Sequence, residues 1–348
     1  MRTHFAIAFC LIAPALLAQQ PQRGDRGGRR SSEPVALENF THAEGSFRSE
    51  AVGKDVSYGI YLPKGYEAEE NAKREYPLVV WLHGMWEDHQ RFHQRGGAPV
   101  LDRAAGSGKL PPTIVVLADG GRTSMYVNRG DKANYQDLIT KDLLAHVDGK
   151  YRVSKDRSQR ALMGISMGGM AALRIGFTQP ALFGTIAVHS AAVFPEDPQQ
   201  LPDRMKQMAS RIGLDEVFGN PIDAERWRKA NPLCLAEDVE PAALDGLRIY
   251  FDAGTEDRFR FADGNGLLHE ELDKRKIPHT WNLVEGGGHA WGSGFKEESL
   301  LASLTFAGEG FGASKAAKGA LQGLQLPADA GGKGDAKPRE PKDAKDGR

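Results

Sequence analysis

Residues 161–169, ALMGISMGG, decide the fold of this chain. The apolar residues 161–163 predict a short strand, and residues 168–177 predict a helix that ends before Pro180. Between them, the pattern Gly-x-Ser-x-Gly predicts a tight turn whose serine hydroxyl projects above the edge of a sheet. Its glycines leave room for the neighbouring strand and helix because they carry no side chain. Ser166 is therefore the candidate nucleophile.

Strands and helices alternate on both sides of this turn. Apolar or alternating runs predict strands at residues 46–53, 55–63, 77–82, 113–117, 184–189, 247–252 and 280–284. Apolar residues at helical spacing predict further helices at residues 135–150, 266–276 and 299–306. This alternation predicts an α/β protein with a mostly parallel sheet, helices on both faces and antiparallel strands at the N-terminal edge.

A serine nucleophile needs a histidine base, and His289 is the candidate. It lies in the glycine-rich segment 285–291, EGGGHAW, after a predicted strand, and such a loop can bring an imidazole to a serine. His189 is the alternative base and ends a predicted strand. His269 falls within a predicted helix, which argues against it as the base.

The base in turn needs a carboxylate that holds its tautomer and stabilises the imidazolium. In sites with this serine turn, the acid lies between the nucleophile and the histidine in chain order. Asp257 is the candidate because it follows the predicted strand at 247–252, and Glu256 is the alternative. Asp252 still belongs to the strand end, where we expect it to brace the loop.

Two backbone N–H groups are expected to bind the negative charge that develops on the attacked carbonyl. Met167 follows the nucleophile and begins the predicted helix, so its N–H is one donor. The other donor comes from the loop after the strand at 77–82, where Met85 is the candidate and Gly84 the alternative. Side chains that are expected to line the substrate pocket are those of Trp86, Tyr126, His189 and Trp291.

Neither an organic cofactor nor a metal is expected for this chemistry. A metal enzyme is an alternative that His89 and His93 leave open, since they stand four residues apart and would share one face of a helix. The other interpretation of this segment is a polar loop beside the site.

Several blocks of sequence, taken in order, resemble the esterase D-type family of α/β hydrolases, which contains feruloyl esterases. The blocks lie at residues 61–63, 79–84, 124–128, 142–144 with 151–152, 164–169, 251–257 and 287–291. The resemblance covers roughly residues 56–306 and implies the α/β-hydrolase fold. It assigns the catalytic positions to Ser166, Asp257 and His289, and the oxyanion positions to the backbone of Met85 and Met167.

The hypothesis that follows is a serine esterase acting through an acyl-enzyme, on small-molecule or polysaccharide-linked esters such as acyl or feruloyl groups. Three alternatives stay open. One is a serine peptidase of the prolyl oligopeptidase type, and another is a thioesterase similar to S-formylglutathione hydrolase. The third is a non-catalytic carbohydrate-binding or scaffold protein that has kept the fold.

The two ends of the chain differ in composition from its middle. Arg2, the apolar residues 5–17 and Ala18 predict a signal peptide at 1–18. We therefore expect export to the periplasm or the medium, with no membrane span after cleavage. The remaining ranges are predicted to be a flexible linker at 19–34, a catalytic domain at 35–311 and a low-complexity, disordered tail at 312–348.

Overall composition does not indicate a nucleic-acid partner or a disulfide framework. The 348 residues carry a net charge of −1, which gives no indication of a nucleic-acid partner. The two cysteines, Cys10 and Cys234, do not predict a disulfide framework. No pattern in the sequence predicts the oligomeric state.

Overall fold

One sheet of eight strands organises the residues that this computed structural model describes, which are 36–201, 203–289 and 297–312. The strands are β1 (Phe40–Ser49), β2 (Lys54–Pro63), β3 (Leu78–Leu82), β4 (Ile114–Ala118), β5 (Arg160–Ile165), β6 (Thr185–His189), β7 (Arg248–Gly254) and β8 (Thr280–Val284). Their order across the sheet is β1-β2-β4-β3-β5-β6-β7-β8. β2 pairs antiparallel with β1 and β4, and every other pair is parallel. The predicted α/β architecture, with antiparallel strands at the N-terminal edge, is confirmed.

Helices connect the parallel strands, as such a sheet requires. They are α1 (Arg91–Gln94), α2 (Gly97–Gly106), α3 (Tyr135–Asp137), α4 (Leu144–Lys150), α5 (Met167–Thr178), α6 (Asp203–Met208), α7 (Leu214–Phe218), α8 (Ala224–Ala230), α9 (Pro232–Asp238), α10 (Phe261–Lys274) and α11 (Glu297–Gly310). A π-helical segment, Leu138–Leu143, joins α3 to α4, so the helix predicted at 135–150 is continuous but not uniform.

Two predicted elements begin at least five residues earlier in the structure than predicted. The strand predicted at 46–53 spans Phe40–Ser49 instead, and a turn follows in which Gly53 takes a φ of 66°. The helix predicted at 266–276 spans Phe261–Lys274 instead, and it continues through Gly264. A Cβ at Gly264 would lie 2.1 Å from the carbonyl oxygen of Val193, so this glycine lets the helix approach a neighbouring loop.

The sheet separates two hydrophobic cores, because successive side chains of a strand point to opposite faces. On one face, alternate residues of the central strands pack against α5, α9 and α10; they include Val80, Leu82, Leu162 and Val188. On the other face, Val79, Trp81, Met163 and Ala187 pack with residues of α2 and α11. Each large aliphatic side chain that is fully buried here contributes about 1.5–3 kcal/mol to the free energy of unfolding.

The carboxyl ends of the parallel strands meet at one edge of the sheet. The loops after β3, β5, β7 and β8 begin there and carry, in that order, Met85, Ser166, Asp257 and His289. Ligands bind at this edge in open α/β sheets. The topology therefore places residues that are up to 204 positions apart, from 85 to 289, on the same side of the molecule.

Several predictions fall outside the described residues. These are the signal peptide at 1–18, the linker at 19–34, the tail beyond residue 312 and the pocket residue Trp291. Within the described ranges, no helix has both the length and the apolar character that crossing a bilayer would require.

Candidate active site

Ser166 occupies a sparsely populated backbone conformation, with φ 56° and ψ −116°, between β5 and α5. Three backbone hydrogen bonds hold it there. Its N–H donates to the carbonyl of His189 at 2.9 Å, and its own carbonyl accepts from the N–H groups of Met170 and Ala192 at 2.9 and 3.0 Å. A conformation of this kind persists only where the surrounding structure maintains it, and it is common at active sites.

The glycines on either side of Ser166 permit this turn. A Cβ at Gly168 would lie 2.2 Å from the carbonyl oxygen of Leu82, at the end of β3. A Cβ at Gly164 would lie 2.7 Å from the backbone of Gly168. Real side chains do not tolerate such contacts with backbone, so the motif's glycines are required by the close approach of β3, β5 and α5.

His289 and Asp257, the candidate base and acid, form a hydrogen-bonded pair. The Nδ1 of His289 lies 2.9 Å from Oδ2 of Asp257, whose side chain is fully buried. The other carboxylate oxygen, Oδ1, accepts the N–H of Phe259 at 2.8 Å. A proton on Nδ1 donates to the carboxylate, which makes Nε2 the basic nitrogen of the ring.

Contacts between two loops bring this pair together. The N–H groups of Thr255 and Glu256 donate to the carbonyls of Val284 and Gly287 at 3.0 and 2.8 Å. Gly254 allows the approach, since a Cβ there would lie 2.1 Å from the carbonyl oxygen of Gly287. Glu256, the alternative acid, is exposed, whereas Asp257 is buried against the imidazole. The geometry therefore favours Asp257.

Aromatic rings enclose the imidazole. The ring centroid of His289 lies 4.7 Å from that of Phe259, edge to face, and 5.6 Å from that of Phe261. These contacts orient the ring, and His289 also lines a cavity.

Ser166 and His289 line this same cavity. Its wall is mainly apolar and comes from several separate parts of the chain; it includes Met125, Ala192, Phe194, Met205, Ile212, Leu214, Phe259 and Phe261. Three charged residues also line it: Glu87, Arg95 and Arg258. Trp86 stands at the opening with 45% of its surface exposed.

The two predicted oxyanion donors, Met85 and Met167, also line the cavity. Met167 is the first residue of α5, where an N–H has no acceptor within the helix. Among the described residues, neither Met85 nor Met167 has a hydrogen-bond acceptor for its N–H. The N–H of Gly84, the alternative donor, is already bonded to Oε2 of Glu87 at 3.0 Å. The arrangement favours Met85 over Gly84 as the second oxyanion donor.

Glu87 was not identified from the sequence, yet it organises the loop after β3. Its side chain is 11% exposed and sits between two arginines. Oε1 accepts from Nε of Arg91 at 3.2 Å and from Nε of Arg95 at 3.0 Å, while Oε2 accepts from Gly84. A buried carboxylate that binds a backbone N–H in this way fixes the loop that carries Met85.

Two of the predicted pocket residues lie elsewhere. Tyr126 is fully buried behind the cavity wall, where its hydroxyl donates to the carbonyl of His83 at 3.4 Å. Burial raises the pKa of this phenol well above its usual value. His189 is also fully buried and contacts Asp252 and Ser303. Neither side chain lines the cavity beside Ser166, because aromatic and imidazole groups pack as readily into the core as into a pocket.

His89 and His93 do not share a helix face, which corrects that part of the sequence interpretation. His89 lies in a turn, and His93 lies in the four-residue helix α1 that follows it. Nδ1 of His93 is 2.8 Å from the hydroxyl of Tyr61, and its ring stacks on that of His42 at 5.2 Å.

A family model matches residues 49–305 of this chain, and its description is "Putative esterase". The chain belongs to this esterase family. Membership confirms the resemblance to esterases that the motifs predicted.

Relatives and solved structures agree with that assignment. A xylanase/feruloyl esterase of Xylanibacter ruminicola is 28% identical over 49% of this chain and 24% of the relative. Esterase Rv1288 of Mycobacterium tuberculosis is 26% identical over 69% of this chain and 54% of the relative. The chain thus spans between a quarter and about half of these relatives' lengths. A solved ferulic acid esterase superposes with a TM-score of 0.64 at 24% identity, over 78% of this chain and 99% of that one, which shows the shared α/β-hydrolase fold.

Proposed function

We propose that this protein is a serine carboxylic-ester hydrolase with Ser166 as nucleophile, His289 as base and Asp257 as acid. The arrangement of these three residues supports the proposal most directly. The strained turn at Ser166 opens into the same cavity that His289 lines, and the buried carboxylate of Asp257 holds that histidine's Nδ1. Membership in an esterase family supports the reaction class.

The reaction proceeds in two acyl-transfer steps. Oγ of Ser166 attacks the ester carbonyl while Nε2 of His289 takes the hydroxyl proton, and Asp257 stabilises the resulting imidazolium. The imidazolium then gives this proton to the leaving alcohol as the carbon–oxygen bond breaks. Water, activated by the same nitrogen, hydrolyses the acyl-serine and regenerates the free enzyme.

Met85 and Met167 stabilise the oxyanion in both steps. Their N–H groups belong to rigid elements, the loop fixed by Glu87 and the first turn of α5, so they need no rearrangement when negative charge develops. Removing one donor of this kind typically costs about 2.7–4 kcal/mol of transition-state stabilisation. The positive end of the dipole of α5 acts in the same direction.

The cavity favours esters of an apolar or aromatic acid. Phe194, Phe259 and Phe261 present rings to the space beside Ser166, and Met125 and Met205 add adaptable apolar surface. The name of the Xylanibacter relative includes feruloyl esterase activity. We therefore propose acyl or feruloyl groups on polysaccharides as the substrate class, with an exported enzyme that meets them outside the cell.

A substrate panel tests this proposal. The purified chain and its Ser166→Ala variant are assayed on nitrophenyl acetate, nitrophenyl octanoate, methyl ferulate and a peptide amide. We expect ester hydrolysis by the parent chain, with the highest kcat/KM on the feruloyl ester, and none by the variant. Turnover that survives the substitution would remove Ser166 as the nucleophile, and faster cleavage of the amide would point to a peptidase.

A further inference from the structure

A second group of chemically competent side chains lies at the amino end of β8, on the opposite edge of the sheet from Ser166. His269 and Asp273 stand one turn apart on α10, and His279 precedes β8. Nδ1 of His269 lies 2.8 Å from Nε2 of His279. Oxygens of Asp273 lie 3.6 Å from Nε2 of His269 and 3.8 Å from Nε2 of His279.

The 2.8 Å contact involves Nδ1 of His269 and the 3.6 Å contact its Nε2, so the hydrogen bond between the imidazoles must open for His269 to offer one nitrogen to an ion. Tetrahedral Zn²⁺ binds nitrogen and oxygen at about 2.0–2.2 Å, which places neighbouring ligand atoms about 3.4 Å apart. The three groups can each offer one ligand atom within 4.8 Å of the others, and within the described ranges no other set of three does so. Small side-chain movements would complete the shell.

The hydrogen bonding of His279 prepares it as a ligand. Its Nδ1–H donates to the carbonyl of Ile277 at 2.8 Å, so the lone pair on Nε2 accepts from Nδ1–H of His269 until an ion takes the place of that proton. The ring stacks on Phe251 with centroids 5.6 Å apart, and only 3% of its side chain is exposed. A backbone carbonyl that fixes tautomer and orientation in this way is the usual outer-shell partner of a metal-binding histidine.

Solvent reaches the site through the side chains of His269 and Asp273, which are more exposed than that of His279. The side chain of His269 is 35% exposed and that of Asp273 is 64% exposed. An ion can therefore enter without unfolding, and water can fill the fourth position of its shell.

We propose that His269, Asp273 and His279 form a Zn²⁺ site, separate from the esterase chemistry. The ion would join the last turns of α10 to the start of β8, within the segment that connects Asp257 to His289. Two neutral imidazoles and one carboxylate suit zinc among the common biological cations. The ligand atoms must be unprotonated, so affinity should fall as the solution is made acidic.

Calorimetric titration of ZnCl₂ into the tag-free, chelator-treated chain tests the proposal, together with the midpoint of thermal unfolding. We expect one equivalent to bind and the midpoint to rise, since an ion that binds only the folded chain stabilises it. His269→Gln and Asp273→Asn are the test variants because both side chains reach solvent and should not prevent folding. His269→Gln should weaken binding about ten-fold or more and abolish the rise in the midpoint.

The matched control is His93→Gln, which alters the other close pair of imidazoles, His42 and His93. It should bind zinc as the parent does. Equal zinc affinity in the parent and in His269→Gln would overturn the proposal. So would loss of binding in His93→Gln alone, which would place the ion at the other histidine pair.

Discussion

Two clusters of serine, histidine and aspartate lie in this molecule, one beside a cavity and one enclosed by β6, β7 and α11. In the enclosed cluster, Nδ1 of His189 lies 2.9 Å from a carboxylate oxygen of Asp252, and Nε2 lies 2.9 Å from Oγ of Ser303. Tyr250 donates its hydroxyl to the same carboxylate at 3.0 Å. By residue type and contact distances this cluster resembles a catalytic triad.

Access and backbone conformation separate the two clusters. Ser303, His189 and Asp252 are all fully buried. Ser303 lies within α11, and its hydroxyl donates to the carbonyl of Leu300 one turn back. Ser166 instead sits at a strained turn, partly exposed, beside a cavity and the first turn of a helix. A nucleophilic serine therefore needs space for a carbonyl and donors for its oxyanion, in addition to a histidine and an aspartate.

The largest expected difference in kcat is between the variants of the two serines. Ser166→Ala should lower kcat on its best ester about 10⁵-fold or more, as in other enzymes of this mechanism. Ser303→Ala should leave kcat unchanged and lower the free energy of unfolding by about 1–3 kcal/mol, because it leaves a buried imidazole nitrogen without its partner. Steady-state kinetics and urea unfolding of both variants measure this. A large loss of kcat in folded Ser303→Ala would mean that the enclosed cluster takes part in catalysis.

Substituting the two aspartates should also separate the two clusters. Asp257→Asn should lower kcat about 10⁴-fold, because an amide cannot hold His289 in the required tautomer. Asp252→Asn should retain kcat where it folds, and lose about 1–3 kcal/mol of stability because it disturbs buried hydrogen bonds to His189 and Tyr250. Glu256→Gln, at the exposed neighbour of Asp257, is the activity control. If Glu256→Gln lost activity and Asp257→Asn kept it, the assignment of the acid would be reversed.

The turn at Ser166, which the enclosed cluster lacks, depends on Gly168. Gly168→Ala should lower the free energy of unfolding by about 3 kcal/mol or more, since its Cβ would meet the backbone of Leu82. Gly266→Ala is the matched control, because nothing lies within 4 Å of a Cβ at that position of α10. It should stabilise the protein by about 0.5–1 kcal/mol. Thermal and urea unfolding compare them, and equal stability of the two variants would contradict the packing argument.

The oxyanion donors are the other part that the enclosed cluster lacks, and Glu87 positions the loop of one of them. Glu87→Gln should lower kcat about ten-fold, because the loop that carries Met85 loses a charged anchor. Glu44→Gln removes an exposed carboxylate that contacts Gln90 in the same segment, and it should have no effect. Kinetics on one ester measure both. A loss confined to KM would indicate that Glu87 acts on substrate binding instead.

The smallest expected effect is a pH dependence of stability at the enclosed cluster. Burial raises the pKa of Asp252 above its ordinary value of 3.8. The folded chain therefore holds the carboxyl proton of Asp252 more strongly than the unfolded chain does. The contribution of Asp252 to the free energy of unfolding falls as pH rises above 3.8. Urea unfolding from pH 4 to pH 7 should show the stability difference between the parent and Asp252→Asn shrinking as pH rises. A difference that grows would contradict this sign.

The sequence predicts the architecture well because its main determinants are local. Apolar runs of five or six residues mark the central strands, and the glycines around Ser166 mark a turn that no other residues allow. Asp257 and His289 could be proposed from their order in the chain and from their loops, which follow strands that end at the same edge of the sheet. The catalytic roles of all three residues stay predictions.

The cavity wall could not be predicted in the same way. Met205, Ile212 and Leu214 come from short helices and turns with no motif, and only their packing brings them to Ser166. Arg258 belongs to no motif, and it lines the cavity. His189 looked like a pocket residue, and its partner Ser303 lies 114 residues further along the chain. Side chains of this kind are placed by tertiary packing, which a local pattern does not contain.

Labelling with a fluorophosphonate probe, followed by peptide mass spectrometry, distinguishes the two serines in a single experiment. Covalent modification requires a nucleophilic serine that the probe can reach. We predict that the probe modifies Ser166 and leaves Ser303 unmodified, and that Ser166→Ala takes up no label. Label on Ser303, or undiminished labelling of the Ser166→Ala chain, would contradict the assignment of the cavity as the active site.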